Sequence, residues 1–472
     1  MIEKLLNYLE NKRILILGFG KEGESTYKLL RKYFPEKNLF IADKNMNLLI
    51  EKIDLMEDPY LEVSLGENYL NGIEEYDLII KAPGISFKGI DISSFENKIT
   101  SQLELFLENI SCHTVGITGT KGKSTTSTLM YEVLKANDKK TFLLGNIGKP
   151  IFDEIENIDE DTFVVIELSS HALQYIKQSV DIAILLNIHE EHLDHYNDYL
   201  EYVLAKMNIG IYQKEGSHFI INSDDSEILK SMESLKEKFV NKIIKKVSLK
   251  NNNYDIDTYI NENNCICIKD KDNISKNVFE IINVEELLNA MCLKGMHNVN
   301  NIMFILTASE ILNLSLDKTI NAIKSFKPLE HRMEFVARIN DVDYYNDSIA
   351  TIPSSTINAI EAIKNIGTLI VGGKDRGINL EELYDYLENT DIENIICLPK
   401  TGEYIAENLR NRNVDKNIVV VDNLEDAVKI AKKVTSKNKN CIMSPAASSY
   451  GYFKNFEERG KLFKKYVLEN NN

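Results

Sequence analysis

Short runs of consecutive apolar residues, each followed by mixed polar and apolar sequence, set the pattern at the beginning of the chain. Three such runs are present there: RILILG (13–18), NLFIAD (38–43) and YDLIIKAPG (76–84). Continuous apolar runs of this kind are typical of strands that are buried on both faces of a parallel sheet. Because parallel neighbours need a crossover connection, the alternation predicts β-α-β units.

The same rhythm returns twice further along the chain. A second group of apolar runs consists of TVGITGT (114–120), TFVVIELSS (162–170) and DIAILLNI (181–188), and a third of GTLIVGG (367–373), NIICLP (394–399), NIVVVD (417–422) and NCIMSP (440–445). Between these groups, residues 245–285 alternate polar and apolar positions, which predicts an antiparallel extension at one edge of the middle sheet. A helix is predicted over 298–312, followed by a linker within 326–335.

These patterns predict three α/β domains. A chain of 472 residues also has the length expected of about three domains. We expect the domains to cover residues 1–105, 106–328 and 329–472, because each of these segments holds its own group of β-α units.

Charge and composition exclude several functional classes. The net charge is −17 and no basic stripe stands out, so a nucleic-acid partner is not expected. The longest apolar runs are too short to cross a bilayer, and the N-terminus lacks a secretory pattern, so no membrane partner is expected.

The six cysteines are scattered, and CICIKD (265–270) is typical of a strand rather than of half a zinc site. Free thiols fit a reducing compartment, and we expect the protein in the cytoplasm.

The first candidate site follows the first apolar run. Gly18, Gly20 and Gly23 form the pattern G-x-G-x-x-G, and Asp43 ends the next predicted strand. Such a turn lets a nucleotide diphosphate approach the backbone at a helix N-terminus, and the carboxylate can accept a ribose hydroxyl. Alone, the pattern favours a dehydrogenase. The same geometry holds any nucleotide diphosphate, however, and a tight turn without a ligand is a further interpretation.

The second candidate site is GITGTKGKST, residues 116–125, which we call the phosphate loop. Lys123 and Ser124 form the G-K-S end that reaches the β- and γ-phosphates and Mg²⁺. Ile117 stands where the strict P-loop pattern has its first glycine, and Gly116 and Gly119 supply the flexibility instead. A loop so rich in Gly and Thr after an apolar strand predicts nucleotide binding rather than a neutral surface turn.

Polar residues follow two more predicted strands of the middle domain. Glu167, in ELSS, is a hard oxygen ligand of the kind that Mg²⁺ prefers. The segment NIHEEHLDHY contains His192 and almost forms H-E-x-x-H, but Leu193 occupies the position of the second histidine, which excludes a zinc-peptidase site. Each residue taken singly is compatible with a solvated loop, whereas their strand-end positions predict a metal or phosphate contact. Lys206 lies in an apolar helical run, where a lysine normally extends to solvent.

These motifs in this order resemble those of the Mur ligases, the ATP-dependent amino-acid ligases of peptidoglycan precursor synthesis. The resemblance covers essentially the whole chain and rests on GITGTKGKSTTS, GNIGKP, ELSS, NIHEEHLDHY, GMHNVNN, HRMEF, YYNDSIATIPSST, VGGKDRG and MSPAASSYGYFKNFEERG. The branch that joins glutamate to UDP-N-acetylmuramoyl-L-alanine is the most similar. The resemblance implies a Rossmann-like N-terminal domain for the UDP of the substrate, a central P-loop ATPase-type domain with a parallel sheet, and a Rossmann-like C-terminal α/β domain.

The resemblance also implies a reaction and its cofactors, ATP and Mg²⁺ at two sites. ATP would phosphorylate the carboxylate of the sugar nucleotide, and the amine of glutamate would then displace phosphate from the acyl phosphate. A carboxylate is a poor acyl donor, and cations are needed to offset the charge that accumulates between two anions. The implied catalytic residues are Lys123, His192 and Lys206, the last matching a lysine that becomes carbamylated in the family.

Four groups of site residues are implied by the same resemblance. The ATP site comprises Gly119, Thr120, Gly122, Lys123, Ser124, Thr125, Asn298, Asn301, Arg332 and Asp347. The UDP-substrate site comprises Gly18, Gly20, Lys21, Glu22, Asp43, Gly84 and Asn146. The glutamate site comprises Thr351, Arg376, Ser449 and Phe456, where a cation and hydroxyl groups suit a dicarboxylate. The metal ligands are Ser124, Glu167, His192 and carbamylated Lys206.

Four segments depart from the family pattern, and one of them is SSHALQ (169–174), which replaces the commoner S-S-F-Q-L. Lys121 stands where asparagine is usual, Ile349 replaces a lysine, and SSYG replaces the usual S-x-D. The last two resemble a branch that adds L-glutamate. We nevertheless expect D-glutamate, because its addition is the common activity of the family, and keep L-glutamate as the alternative. A ligase similar to folylpolyglutamate synthase should lack the N-terminal nucleotide-sugar domain, and a non-catalytic nucleotide-binding regulator should have lost some catalytic residues. The expected oligomeric state is a monomer.

Overall fold

The chain forms two compact units, Met1–Lys327 and Pro328–Asn472. The computed structural model describes residues 2–191, 195–250, 255–269, 278–291, 295–327 and 330–469. Both units consist of strands connected by helices, which confirms the α/β class that the alternating pattern predicts.

Helices and strands alternate along both units. The helices are α1 (Ile2–Glu10), α2 (Lys21–Tyr33), α3 (Leu48–Glu51), α4 (Gln102–Asn109), α5 (Lys123–Ala136), α6 (Ser170–Leu173), α7 (Tyr199–Ile211), α8 (Ser226–Ser234), α9 (Val284–Ala290), α10 (Met296–Ile311), α11 (Leu316–Ser325), α12 (Pro353–Ala362), α13 (Glu381–Glu388), α14 (Thr401–Asn411), α15 (Leu424–Val434) and α16 (Phe456–Leu468). The strands are β1 (Ile14–Leu17), β2 (Leu39–Asp43), β3 (Leu61–Leu65), β4 (Leu78–Lys81), β5 (Ile99–Thr100), β6 (His113–Thr118), β7 (Thr141–Gly145), β8 (Phe163–Glu167), β9 (Ile182–Leu185), β10 (His218–Asn222), β11 (Ile243–Ser248), β12 (Thr258–Ile260), β13 (Cys265–Lys269), β14 (Val278–Asn283), β15 (Glu334–Ile339), β16 (Val342–Asn346), β17 (Ile366–Gly372), β18 (Asn394–Leu398), β19 (Asn417–Val420) and β20 (Asn440–Met443). Short 3₁₀ helices cover Ile53–Glu57, Ile73–Glu75, Glu96–Lys98, Ile151–Asp153, Ile155–Asn157 and Lys236–Phe239.

The first sheet is parallel throughout and has the strand order β3-β2-β1-β4-β5. The strands predicted over 13–18, 38–43 and 76–84 are confirmed as β1, β2 and β4. Strands β1 and β4 are buried along their whole length, as expected of continuous apolar runs. The strand order reverses between β1 and β4, and their carboxyl ends therefore open the crevice in which sheets of this type bind ligands.

The second sheet has the order β14-β13-β12-β11-β10-β9-β6-β8-β7. Its three predicted strands are confirmed as β6, β8 and β9, which lie side by side in parallel. The predicted antiparallel extension is confirmed as well, because β12, β13 and β14 pair antiparallel at one edge. The predicted helix over 298–312 is α10, and it is buried along most of its length. One apolar cluster contains side chains of both the first and the second sheet, so the two share a core within this unit.

The third sheet belongs to the second unit and has the order β15-β16-β20-β17-β18-β19. The four strands predicted in the C-terminal part of the chain are confirmed as β17, β18, β19 and β20. All neighbours pair in parallel except β15, which pairs antiparallel with β16. The carboxyl ends of β16, β20 and β17 are consequently adjacent along one edge of the sheet.

The cysteines among the described residues form no disulfide with one another. Cys112, Cys265, Cys267, Cys397 and Cys441 are free thiols. The strand predicted at CICIKD is confirmed as β13. Burial raises the pKa of the Cys397 and Cys441 thiols to about 12, which makes both unreactive at neutral pH.

Within the part of the chain that the structure describes, no helix combines the length and the apolar character that crossing a membrane requires.

Candidate active site

The phosphate loop connects β6 to α5 at the centre of the second sheet. Gly122 has a φ of 87°, in the left-handed region that favours glycine, and it caps the N-terminus of α5. Gly119 passes so close to the end of β9 that a Cβ there would lie 2.9 Å from a leucine Cβ. The backbone N–H of Thr120 donates to the carbonyl oxygen of Asn187 at 3.0 Å, which ties the loop to that strand end. The N–H groups and dipole of α5 therefore face a fixed loop that suits a phosphate.

Lys123 begins α5 with its ammonium turned back over the loop. Its Nζ donates to the carbonyl oxygens of Gly119 and Thr120, each at 2.8 Å. The Ser124 side chain that follows is buried, and Thr125 is partly exposed. A cation followed by a hydroxyl at the start of a helix is the arrangement that contacts a nucleotide polyphosphate and its Mg²⁺.

Lys206 lies on α7 and is 2% exposed. Its Nζ donates to the carbonyl oxygen of Gly119 at 2.9 Å, the same oxygen that accepts from Lys123. Burial lowers the pKa of Lys206 well below its ordinary value, and the charge of Lys123 lowers it further. A lysine in an apolar helical run normally extends to solvent, but this side chain ends at the phosphate loop.

A hydroxyl pair fixes the loop beside these two lysines. Thr120 Oγ1 and the Tyr202 hydroxyl lie 2.8 Å apart, and Thr120 Oγ1 also accepts the backbone N–H of His189 at 2.9 Å. The ring of Tyr202 has its centre 5.0 Å from the Nζ of Lys206. No sequence motif marks Tyr202. Its position one helical turn before Lys206, on the same face of α7, is the signal that could have identified it.

Glu167 ends β8 and is 2% exposed. Its Oε1 accepts a hydrogen bond from Nδ2 of Asn146 at 2.7 Å, whereas its Oε2 is buried without a hydrogen-bond partner. A buried carboxylate oxygen without a partner is costly unless a cation or a proton donor contacts it. Glu167 and Asn146 also line a cavity together with Glu22 of α2. The predicted Mg²⁺ ligand Glu167 and the two predicted substrate residues Asn146 and Glu22 therefore line the same cavity.

The glycine turn after β1 is braced by Asp43. Gly18 has a φ of 89°, and a Cβ on Gly23 would lie 2.2 Å from the carbonyl oxygen of Gly18. Asp43 Oδ2 accepts the backbone N–H of Phe19 at 2.6 Å, and its Oδ1 accepts that of Asn45 at 2.7 Å. The other predicted residues of this site at the carboxyl ends of β1 and β4 are Gly20, Lys21, Glu22 and Gly84. Asp43 thus holds the ends of β1 and β2 together.

Two predicted ATP-site amides lie in the first turns of α10. Asn298 and Asn301 are 8% and 6% exposed. Nδ2 of Asn301 donates to Oδ1 of Asn298 at 3.4 Å. A Cβ on Gly122 would lie 2.9 Å from Oδ1 of Asn301. The structure therefore brings these amides beside the N-terminus of α5.

The histidine-rich segment is only partly described. His192, predicted as a catalytic and metal-binding residue, lies outside the described residues. The neighbouring His195 is buried, and its Nε2 lies 3.1 Å from Oε1 of Gln174. Among the described residues, no group of three or more His, Cys, Asp and Glu side chains is arranged to hold a metal ion. Within that part of the chain, the candidate metal ligands are Glu167, Ser124 and Lys206.

In the second unit, Asp347 follows β16 and is 3% exposed. Its Oδ1 accepts the backbone N–H of Met333 at 3.1 Å, and its Oδ2 accepts the Ser444 hydroxyl at 2.7 Å. Burial raises the pKa of Asp347 to about 7, against the opposing charges of Arg332 and Arg459. Two predicted ATP-site residues, Arg332 and Asp347, are therefore neighbours.

Arg459 of α16 is completely buried in this unit. Its Nε and Nη2 donate to the hydroxyl and the carbonyl oxygen of Ser348 at 3.0 and 2.8 Å, and its Nη1 donates to the carbonyl oxygen of Ala447 at 3.0 Å. The Ser348 hydroxyl donates in turn to the carbonyl oxygen of Phe456 at 2.8 Å. One guanidinium thus connects the loops after β16 and β20 with the start of α16. Sequence reasoning missed Arg459, although it lies inside the quoted segment FKNFEERG.

The predicted glutamate residues lie on the segments that surround this guanidinium. They are Thr351 after β16, Arg376 after β17, Ser449 after β20 and Phe456 at the start of α16. The backbone N–H of Lys374 donates to the carbonyl oxygen of Ser448 at 2.8 Å, which joins the loops after β17 and β20. Ser449 is buried and Arg376 is exposed. The four residues share one edge of the third sheet.

Comparison with known proteins identifies the family. Residues 117–309 match the Mur ligase middle domain, and residues 331–446 match the Mur ligase, glutamate ligase domain. The chain is 34% identical over 470 residues to the UDP-N-acetylmuramoylalanine--D-glutamate ligase of Clostridium tetani, an alignment that covers 98% of this chain and 97% of the relative. The chain belongs to the Mur ligase family. This Mur ligase is also 33% identical over 479 residues to the ligase of the same name from Clostridium acetobutylicum, with 98% of both chains covered.

Solved structures share the fold of this Mur ligase. The UDP-N-acetylmuramate-alanine ligase MurC of Thermotoga maritima superposes with a TM-score of 0.51 at 16% identity, covering 96% of this chain and 99% of that one. The MurF ligase of Thermotoga maritima in complex with ADP gives a TM-score of 0.51 at 16% identity, with 97% and 96% covered. At these identities the likeness concerns the fold, and it confirms the predicted architecture of this Mur ligase.

Proposed function

We propose that this Mur ligase joins D-glutamate to UDP-N-acetylmuramoyl-L-alanine at the expense of ATP, a step of peptidoglycan precursor synthesis. Relatives named for D-glutamate match nearly the whole chain, and they favour the D isomer over the L-glutamate alternative. The observation that carries the chemistry is the buried amine of Lys206 on the Gly119 carbonyl, beside Lys123. The first sheet, with its glycine turn, argues against a ligase of the folylpolyglutamate synthase kind. The intact set of catalytic residue types argues against a non-catalytic regulator.

The proposed reaction has two chemical steps. The alanyl carboxylate of the sugar nucleotide attacks the γ-phosphorus of ATP, ADP leaves, and an acyl phosphate forms. The amine of D-glutamate then attacks the acyl carbon, loses a proton, and phosphate leaves from the tetrahedral intermediate. Lys123 would exchange its loop carbonyls for phosphate oxygens, where its charge stabilises the phosphoryl group in transfer.

The residues at the end of β8 fit Mg²⁺. The unpartnered Oε2 of Glu167 and the Ser124 hydroxyl would hold one ion, and we assign a second ion to His192 and carbamylated Lys206. When bound, Mg²⁺ neutralises phosphate charge and polarises the transferring group. Asn146 fixes Oε1 of Glu167, so that the other oxygen keeps its orientation for a metal ligand.

Lys206 is proposed to carry a carbamate. Only a neutral amine attacks CO₂, and a lysine with an ordinary pKa is almost entirely an ammonium at neutral pH. Burial lowers the pKa of Lys206 and thereby favours the neutral amine. The N–C bond forms, one proton is released, and the side chain becomes an anionic metal ligand. The same change replaces the repulsion between Lys206 and Lys123 with attraction.

The remaining assignments complete the proposal. Asn298, Asn301, Arg332 and Asp347 would hold the nucleoside and phosphates of ATP. Gly18, Gly20, Lys21, Glu22, Asp43, Gly84 and Asn146 would hold the sugar nucleotide. Thr351, Arg376, Ser449 and Phe456 would hold glutamate. We further propose a cytoplasmic monomer with domains at 1–105, 106–328 and 329–472, and with neither nucleic acid nor membrane as partner.

Phosphate release tests the proposed function directly. The purified chain is incubated with ATP, Mg²⁺ and UDP-N-acetylmuramoyl-L-alanine, and D- or L-glutamate is added in parallel. We expect release with D-glutamate, with kcat/KM for the L isomer lower by about 100-fold, because the wrong isomer leaves buried polar groups unpaired. Release with the L isomer alone would overturn the stereochemical assignment and point to Ile349 and SSYG. A folded protein that releases phosphate with neither isomer would overturn the proposed function.

Glu167→Gln is expected to raise the Mg²⁺ concentration needed for half-maximal activity by roughly 10-fold or more and to lower kcat by roughly 100-fold. The amide keeps the shape and the contact with Asn146 but removes the negative charge from a metal ligand. A Mg²⁺ titration of phosphate release measures both effects. Glu160→Gln removes an exposed carboxylate from the same domain and should change neither value. An unaltered Mg²⁺ requirement in Glu167→Gln would rule out metal binding by Glu167.

A further inference from the structure

The carboxyl ends of β1 and β4 hold two oppositely charged side chains that the family resemblance does not pair. Lys81 is the last residue of β4 and is 4% exposed. Glu22 lies in the first turn of α2, directly after the glycine turn that follows β1, and lines the cavity that Asn146 and Glu167 share. Strand order reverses between β1 and β4, so both residues lie at the strand ends that border the crevice where such a sheet receives a nucleotide.

Few groups solvate the Lys81 ammonium. Its Nζ donates to the carbonyl oxygen of Ala82 at 3.3 Å, a long hydrogen bond, and lies 5.4 Å from the centre of the Tyr175 ring. An ammonium has three donors, and a buried cation normally uses them on strong acceptors. Lys81 is therefore a buried cation that still has hydrogen-bonding capacity for a ligand.

Lys81 and Glu22 stabilise each other's charge against burial. Burial lowers the pKa of Lys81 to about 8, while the charge of Glu22 acts to raise it. Burial raises the pKa of Glu22 to about 7, while the charge of Lys81 acts to lower it. A pair of this kind stabilises a fold weakly, because desolvation offsets most of the attraction between the charges. A role in binding an anion accounts for the pair better than a role in stability.

We propose that Lys81 binds the diphosphate of the sugar-nucleotide substrate, with Glu22 as its counter-charge before the substrate arrives. The helix α2 presents its N-terminus to the same crevice, so its dipole and the ammonium act on one anion. A diphosphate supplies the strong acceptors that Lys81 lacks, and charge-assisted hydrogen bonds of this type are among the strongest in proteins. The inference rests on the proposed function, which makes a uridine diphosphate sugar the substrate.

Direct binding measurements test this role in the full-length chain. UDP and UMP are titrated into the wild type and Lys81→Met by calorimetry, at one pH and one ionic strength. We expect UDP to bind Lys81→Met roughly 10- to 100-fold more weakly, as the loss of a charged hydrogen bond predicts. The loss should be smaller for UMP, which lacks the second phosphate. In turnover, the KM for UDP-N-acetylmuramoyl-L-alanine should rise by the same factor as the UDP dissociation constant, with kcat and the KM for ATP unchanged.

Two further variants separate binding from structure. Lys81→Arg keeps the positive charge and should recover most of the UDP affinity. Lys28→Met removes an exposed lysine of α2, paired with Glu24, and should leave UDP binding unchanged. Unchanged UDP affinity in a folded Lys81→Met would overturn the proposal. So would a uniform loss of every substrate affinity together with a lower unfolding temperature. Because UDP binding requires no turnover, these outcomes stand even if the chain fails to ligate D-glutamate.

Discussion

Lys206→Ala is expected to lower kcat for phosphate release by about 1000-fold or more, since it would remove an anionic metal ligand from the phosphoryl-transfer site. The wild-type amine is buried and donates to the phosphate loop at Gly119, and burial lowers its pKa well below the ordinary value, which favours the neutral form. Alanine can neither react with CO₂ nor contact the loop. The measurement is phosphate release at saturating substrates, in buffer that contains bicarbonate.

Chemical rescue distinguishes a carbamate from a structural lysine. Acetate or formate can enter the space that the shorter side chain leaves and supply the missing carboxylate, so either should restore part of the lost rate. The matched control is Lys236→Ala, which removes an exposed lysine of the same unit and should keep full activity. A variant that unfolds at lower temperature and regains no activity with any carboxylate would show that Lys206 serves the fold alone.

Arg459→Met is expected to lower the free energy of unfolding of the second unit by about 3 kcal/mol, because it leaves buried acceptors unpaired and removes one of the two cations near the Asp347 carboxyl. The guanidinium makes three hydrogen bonds to Ser348 and Ala447, and Ser348 holds the start of α16. The KM for D-glutamate should rise at least about 10-fold, since three of the proposed glutamate residues, Thr351, Ser449 and Phe456, lie on the segments that this side chain joins. Calorimetric unfolding and glutamate titrations measure the two effects.

Conservative and distant variants define the role of Arg459 as a positioning residue. Arg459→Lys keeps a charge but loses the planar fork, so it should recover part of the stability and less of the glutamate affinity. Arg338→Met removes a half-exposed guanidinium that pairs with Asp343, and it should change stability by less than about 1 kcal/mol. An unchanged KM for glutamate in a destabilised Arg459→Met would contradict the positioning role.

The sequence predicted strands best where burial is complete. Runs such as ILIL in β1 and FVVIE in β8 are buried at every position, as are those of β4, β9, β17 and β18, and their continuous apolar sequence distinguishes them from half-buried elements. The antiparallel edge at β12–β14 was also predictable, because its sequence alternates with period two. Strand β3 was not predicted. Its residues LEVSL are only partly buried at the edge of the first sheet, and a short alternating run of this kind resembles a loop.

The residues of the candidate site were predictable where a local sequence motif contains them. The phosphate loop and the strand-end Glu167 follow from local motifs, and the structure places both at the carboxyl ends of the second sheet. Lys81, Lys206 and Arg459 were not predictable as buried cations. Lys81 and Lys206 lie on apolar elements, whereas Arg459 lies in a helix rich in charged residues. For all three, only the tertiary fold decides whether the end of the side chain reaches solvent or a buried carbonyl. Their functions depend on contacts with residues far away along the chain.

The ammonium of Lys123 already has partners before any nucleotide binds, since the loop's own carbonyls at Gly119 and Thr120 accept its protons. Contact with phosphate is therefore an exchange of acceptors, and only the difference between the two sets contributes to nucleotide affinity. When ADP dissociates, the Lys123 ammonium can donate to the two loop carbonyls again, so its charge does not lose all of its hydrogen-bond acceptors. The loop carbonyls thereby limit the affinity of the site for ADP. A limited affinity favours release of the product, which turnover requires.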